Sequence, residues 1–176
     1  MKSMVWHCFL ALLLLGSYIP ANAQMADLDR LDEKLRKHLE NKMPGWSYER
    51  IEPIQGSTGV LIQVWKSQHR SVRIVVVSKK SAAEAKESIA NFPRNAREAQ
   101  PWQEAGDEGY AWGYDQRQIH FRRGKTIFDI EVGADVDSDS DARNLTWSER
   151  RAREKTEIKR WRKEFANHVV DAVDAP

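Results

Sequence analysis

The stretch VLIQVWKSQHRSVRIVVV, Val60 to Val77, decides the fold. Val60 to Lys66 and Ser71 to Val77 are rich in β-branched and aromatic residues, and they flank a short polar break at Gln68-His69-Arg70, as the arms of a hairpin do. Alternation sets Val60, Ile62 and Val64 on one face of the first arm and Leu61 and Trp65 on the other. In the second arm Val72, Ile74 and Val76 oppose Val75 and Val77. Both faces are apolar, so this hairpin is expected at the centre of a sheet with helices over both sides.

Further strands follow the same logic. Trp46 to Ile51 precedes the hairpin, and a second set runs Tyr110 to Tyr114, Gln118 to Arg122 and Thr126 to Val132, with Arg123-Gly124-Lys125 as the last turn. Between the two sets, Ser81-Ala82-Ala83-Glu84 has capping-box spacing and opens a short helix predicted to reach about Phe92. Residues 93 to 109, with Pro93, Pro101, Gly106 and Gly109, read as a long connection.

Helices flank this core. Leu28, Leu31, Leu35, Leu39 and Met43 form one amphipathic stripe that Met43-Pro44-Gly45 ends. Thr146-Trp147-Ser148-Glu149 is a second capping box, opening a long C-terminal helix with Ile158, Trp161, Phe165, Val169 and Val173 on one side. Residues from about Trp147 to Lys155 lack such a stripe and are expected in solvent, with Glu149 and Arg153 able to pair at i,i+4. Strands joined by tight turns pair antiparallel. The expected fold is therefore α+β, with a mostly antiparallel sheet of about six strands (a βββαβββ core), an N-terminal helix and a long C-terminal helix packed on the sheet.

Residues 1 to 23 have the form of a cleavable signal peptide: Lys2, a largely apolar run from Val5 to Leu15, a break at Gly16 and Pro20, and the small-x-small site Ala21-Asn22-Ala23. The run is too short to span a membrane, which takes roughly 20 apolar residues. A single domain from Gln24 to Pro176 is expected to be periplasmic or secreted, with no transmembrane anchor after cleavage. Of the 28 Lys and Arg residues only Lys2 falls in the leader, so 27 remain against 26 acidic residues. That near balance argues against nucleic-acid binding. The sole cysteine, Cys8, is also in the leader, which leaves neither disulfide nor thiolate chemistry.

Candidate chemistry is sparse, and no cofactor is expected. Asp135, Asp137, Asp139 and Asp141 alternate as calcium ligands do, but Ser140 and Thr146 stand where a calcium loop places its glycine and its bidentate glutamate. His120 shares a strand face with Gln118 and Arg122, and it could act as a general base oriented by Asp107 or Glu108. His38 lies on the first helix, His69 in a turn and His168 on the last helix, with no metal-ligand spacing among them. Trp102, Tyr110, Trp112 and Tyr114 could present an aromatic ligand surface, or pack beneath the last helix. The basic cluster on that helix could touch an anionic envelope surface, although interleaved glutamates favour a solvated face.

Gly106-Asp107-Glu108-Gly109-Tyr110-Ala111-Trp112, followed by Ile119-His120-Phe121-Arg122-Arg123-Gly124-Lys125, resembles a pattern in small exported bacterial α+β proteins to which no activity is attached. The resemblance implies an extracytoplasmic domain and nothing catalytic. The expected function is a non-enzymatic binding or accessory domain outside the cytoplasmic membrane, with partner and ligand open. A hydrolase built on His120, Asp107 and Glu108, and a calcium-binding protein built on the acidic loop, are the alternatives.

Overall fold

The computed structural model describes residues 21–53, 59–96 and 98–176. The expected leader, residues 1 to 23, lies almost wholly outside them. Helix α1 (Ala21–Lys42) leads into strands β1 (Ser47–Ile51), β2 (Val60–Ser67) and β3 (Arg70–Ser78). Helix α2 (Ala82–Asn95) follows, then β4 (Gln100–Trp102), β5 (Glu108–Trp112), β6 (Gln118–Arg123), β7 (Thr126–Ala134) and helix α3 (Trp147–Asp174). All seven strands join one antiparallel sheet in the order β1-β2-β3-β7-β6-β5-β4. Each set of consecutive strands is a meander, and β3 and β7 join the two along a register from Arg70 opposite Ala134 to Ser78 opposite Thr126.

Register assigns the faces. Leu61, Trp65, Ile74, Ile130, Phe128, Ile119 and Phe121 share one face, are buried, and pack against Leu35 and Leu39 of α1 and Ile158, Phe165 and Val169 of α3. The opposite face is covered differently from the expectation. Helix α2 sits over β5, β6 and β7, where Ala85 and Ile89 bury Ile127. Val60, Ile62, Val64 and Val75 on β2 and β3 stay half-buried. The hairpin is therefore covered fully on one side only.

Three local expectations change for physical reasons. The long connection contains a short edge strand, β4, and Pro101 is tolerated there because an edge residue need not donate to the sheet. Helix α2 continues through Pro93 to Asn95. Packing of Phe92 against Trp112 and His120 outweighs the local preference to stop before proline. The buried stripe of α3 centres on Ile158, Arg162, Phe165, Ala166, Val169 and Ala172, with Trp161 and Val173 at its margin.

The capping boxes form largely as read. Thr146 and Glu149 cap α3 reciprocally, whereas at α2 Ser81 accepts from the Glu84 N–H at 3.1 Å but the Glu84 carboxylate accepts from the Lys80 N–H, one residue before the cap. Glu149 is thereby committed to the cap, and Arg153 pairs instead with Asp139 and Asp141. Packing of α3 begins at Ile158, while Trp147, Ser148, Glu149, Ala152 and Lys155 are exposed. No described helix is long and apolar enough to cross a membrane.

Candidate binding cleft

Two large aromatic side chains stand in solvent beside one another's elements: Tyr114 is 68% exposed and Trp147 79%. Tyr114 opens a tight helical turn (Tyr114–Gln116) between β5 and β6, which Gly113, Asp115 and Gln116 make with positive φ. Arg151 and Lys155 of α3 hold Asp115 there. Trp147 is the first residue of α3, placed by the Thr146 cap about three turns before the buried stripe begins at Ile158. Both rings line an open cleft of about 390 Å³ whose floor includes Val136, with Asp135, Asp137, Arg150 and Arg151 around it.

The two arginines of this cleft are neutralised in place, and Asp135 is held by a neutral partner. Arg150 donates to Asp137 at 3.2 Å and to the Leu145 carbonyl at 3.0 Å. Arg151 is shared between Glu154 and Asp115, and its guanidinium lies 4.5 Å from the Tyr114 ring centroid, a cation–π contact. The Ser138 hydroxyl, 2.5 Å away, is the main cause that holds the Asp135 carboxyl below its ordinary value. What faces solvent is aromatic surface bordered by oriented polar groups with little net charge.

The other residues singled out from the sequence are divided among separate places. Trp102 is buried against Phe121, their ring centroids 5.5 Å apart. Tyr110 and Trp112 pack under Phe92 of α2, not under the last helix. Only Tyr114 of the four reaches the cleft. His120 stacks on Phe92 at 4.2 Å, and its Nδ1 lies 3.3 Å from Asp129.

Asp107 and Glu108 do not orient that histidine. Asp107 accepts from Arg122 at 2.7 Å, Arg123 at 2.8 Å and the Gly124 N–H at 2.9 Å, and Glu108 accepts from Arg122 at 2.6 Å. The reason is the strand register: Glu108 lies opposite Arg122, whereas His120 lies opposite Tyr110 and Asp129.

The acidic loop is likewise dispersed. Asp137 goes to Arg150, Asp139 to Arg70 and Arg153, Asp141 to Arg153, and Asp135 to Ser138. Its carboxylates anchor the loop to β3 and α3, and they do not converge on a common point. The basic first half of α3 is spent in the same contacts, with Arg160 on Glu157 and Lys163 on Glu104 further along.

Trp147 and the two cleft arginines were not singled out as site residues from the sequence. A tryptophan at the first position of a helix whose opening turns carry no apolar stripe was the available signal, since nothing on that helix could bury it. No protein-family model, curated protein or solved structure matches this chain.

Proposed function

We propose that the chain is an exported, non-enzymatic binding domain whose ligand lodges in the Tyr114–Trp147 cleft. The observation that carries this reading is the exposure of two large aromatic rings in one concavity whose arginines are already paired with carboxylates. Exposed aromatic surface of this kind is costly to leave in water and is used where a ligand covers it. Flat rings bordered by fixed hydrogen-bonding groups suit a neutral, polyhydroxylated ligand such as a glycan. The apolar faces of sugar rings stack on aromatic side chains, and the hydroxyls meet the carboxylates and guanidinium groups.

The leader supports placing this activity outside the cytoplasmic membrane, where glycans are abundant. Cleavage before Gln24 would be read directly from the N-terminal residue of the processed protein. The hydrolase alternative finds little support in the arrangement of its three residues, because Asp107 and Glu108 are committed to arginines. His120 has instead the stacked, carboxylate-bound environment of a packing residue.

Calorimetric titration of the protein with cellotetraose and with chitotetraose tests the proposal. Binding of either sugar that is abolished in Trp147→Ala, with the melting temperature unchanged, is the expected result. Equal binding by wild type and Trp147→Ala, or no binding of either sugar, would overturn it.

A further inference from the structure

We propose that His38, His168 and Asp171 form a binding site for a zinc-class divalent transition-metal ion that clamps α1 to α3. The site is distinct from the aromatic cleft and uses none of its residues.

The packing of the two helices creates it. They run antiparallel: past the middle of α1, Lys34 donates to the carbonyls of Val173 and Ala175, while just beyond the end of α1 Trp46 packs on Trp161 and Phe165. His38 falls between these contacts, across from the middle of the C-terminal half of α3. His168 and Asp171 are separated by three residues on a helix and so share one side of it. One ligand atom from each of the three residues lies within 4.8 Å of the others. His168 Nδ1 and Asp171 Oδ2 are 3.8 Å apart, and the two imidazole centroids 5.8 Å.

Two of these atoms lack what buried polar atoms normally have. His38 Nε2 and His168 Nδ1 are both shielded from solvent, and neither has a hydrogen-bond partner in the structure. A cation between the rings would satisfy both. Protonation is the competing way to use such a pair, and the surroundings oppose it at His38. Burial foremost, then His168 and, more weakly, Lys42 push its pKa below the ordinary histidine value, against the opposing pull of Asp171. A neutral imidazole is the form that binds metal.

Donor chemistry selects the class of ion. Two imidazoles with one carboxylate suit zinc and its neighbours in the transition series, whereas magnesium and calcium favour all-oxygen sets. Metal–ligand bonds of about 2.0–2.2 Å require the three atoms to draw closer than they stand. Asp171 is exposed, so its carboxylate can swing inward without disturbing the core. Three protein ligands leave a fourth position for water.

Titrating the chelator-treated protein with zinc chloride, and separately with magnesium chloride, tests the site by calorimetry and by thermal melting. One equivalent of zinc should bind and raise the melting temperature, while magnesium does neither. Loss of an outer-sphere partner alone costs about 10- to 100-fold in metal affinity. His168→Ala and His38→Gln should therefore each weaken zinc binding by at least about tenfold. Asp171→Asn, a near-isosteric change at an exposed position, should weaken it as well. Absence of zinc binding to the wild-type protein would overturn the proposal. So would zinc binding that is unchanged in Asp171→Asn and in whichever histidine variants fold, since the ion would then reside on other side chains.

Discussion

Gln63 donates its side-chain amide to the Asp32 carboxylate at 2.6 Å, a buried contact that joins the second strand of the sheet to the first helix. The same carboxylate accepts from Tyr48 at 2.8 Å and from Arg50 at 3.1 Å, and Gln63 Oε1 accepts from Trp65 at 3.1 Å. Burial, and then the hydrogen bond to Asp32, push the Tyr48 phenol well above its ordinary value. A polar residue on the buried face of β2 thus serves as the junction that sets how α1 lies on the sheet.

Replacing Gln63 by leucine keeps the volume and removes the junction. The Trp65 indole N–H is left without its partner in the core and Asp32 Oδ1 keeps only the Tyr48 hydroxyl, at a cost of about 1–3 kcal/mol. Urea unfolding should show the midpoint falling accordingly. An unchanged midpoint would mean that the network is not a source of stability.

Phe165 and Trp161 should differ. Phe165 is fully buried against Trp46 and Trp65, so Phe165→Ala is expected to lose about 3–5 kcal/mol. Trp161 lies at the margin of the stripe and should lose clearly less when truncated. Thermal melts of the two variants, read side by side, check the ordering. The reverse ordering would contradict the docking of α3 described above.

Gly109 allows β5 and β6 to approach. A Cβ added there would stand 2.5 Å from the Phe121 Cβ and 2.7 Å from the His120 carbonyl, so the strands would have to separate. Overpacking of this kind costs about 1–3 kcal/mol. At Gly124 the added Cβ would meet nothing within 4 Å, and only its positive φ of 59° would be strained. Gly109→Ala should therefore lower the melting temperature more than Gly124→Ala does.

Acid should weaken the fold partly through Asp107. Burial alone would raise its pKa, but the Gly124 N–H and the Arg123 and Arg122 side chains outweigh burial and hold it below the ordinary value. The unfolded chain therefore takes up this proton first as pH falls. The stability that the contact supplies is complete above the ordinary aspartate value of about 4 and is lost as pH drops through the lower folded value. In Asp107→Asn the melting temperature should be lower at neutral pH, and its fall toward about pH 3 should be shallower than in the wild type. Parallel curves would show that the Asp107 pairing contributes nothing to the acid limb.

The sequence carried the elements whose period repeats within a few residues. The β2–β3 hairpin, the Gly124 turn and both capping boxes were legible because their signals are local. Strand β4 was not, since three residues around a proline show no alternation and gain their pairing only from β5. The aromatic cleft and the histidine pair were hidden for another reason. Tyr114 meets α3 because β7 carries the chain back past the Tyr114 turn, and His38 meets His168 because α1 and α3 pack on one face of the sheet. Those proximities arise from topology, which no spacing within the sequence encodes. Gln63 sat in plain view between Leu61 and Trp65, and its meaning depended on Asp32, 31 residues earlier in the chain.

The side-chain indole N–H signals in a ¹⁵N–¹H correlation spectrum test the central claim most directly. On titration with chitotetraose or cellotetraose, the Trp147 signal should shift progressively to saturation while those of Trp65 and Trp102, buried in the core, stay in place. A stationary Trp147 signal, with the response appearing instead at Trp112 beneath α2 or at no indole at all, would contradict the assignment of the cleft as the binding site.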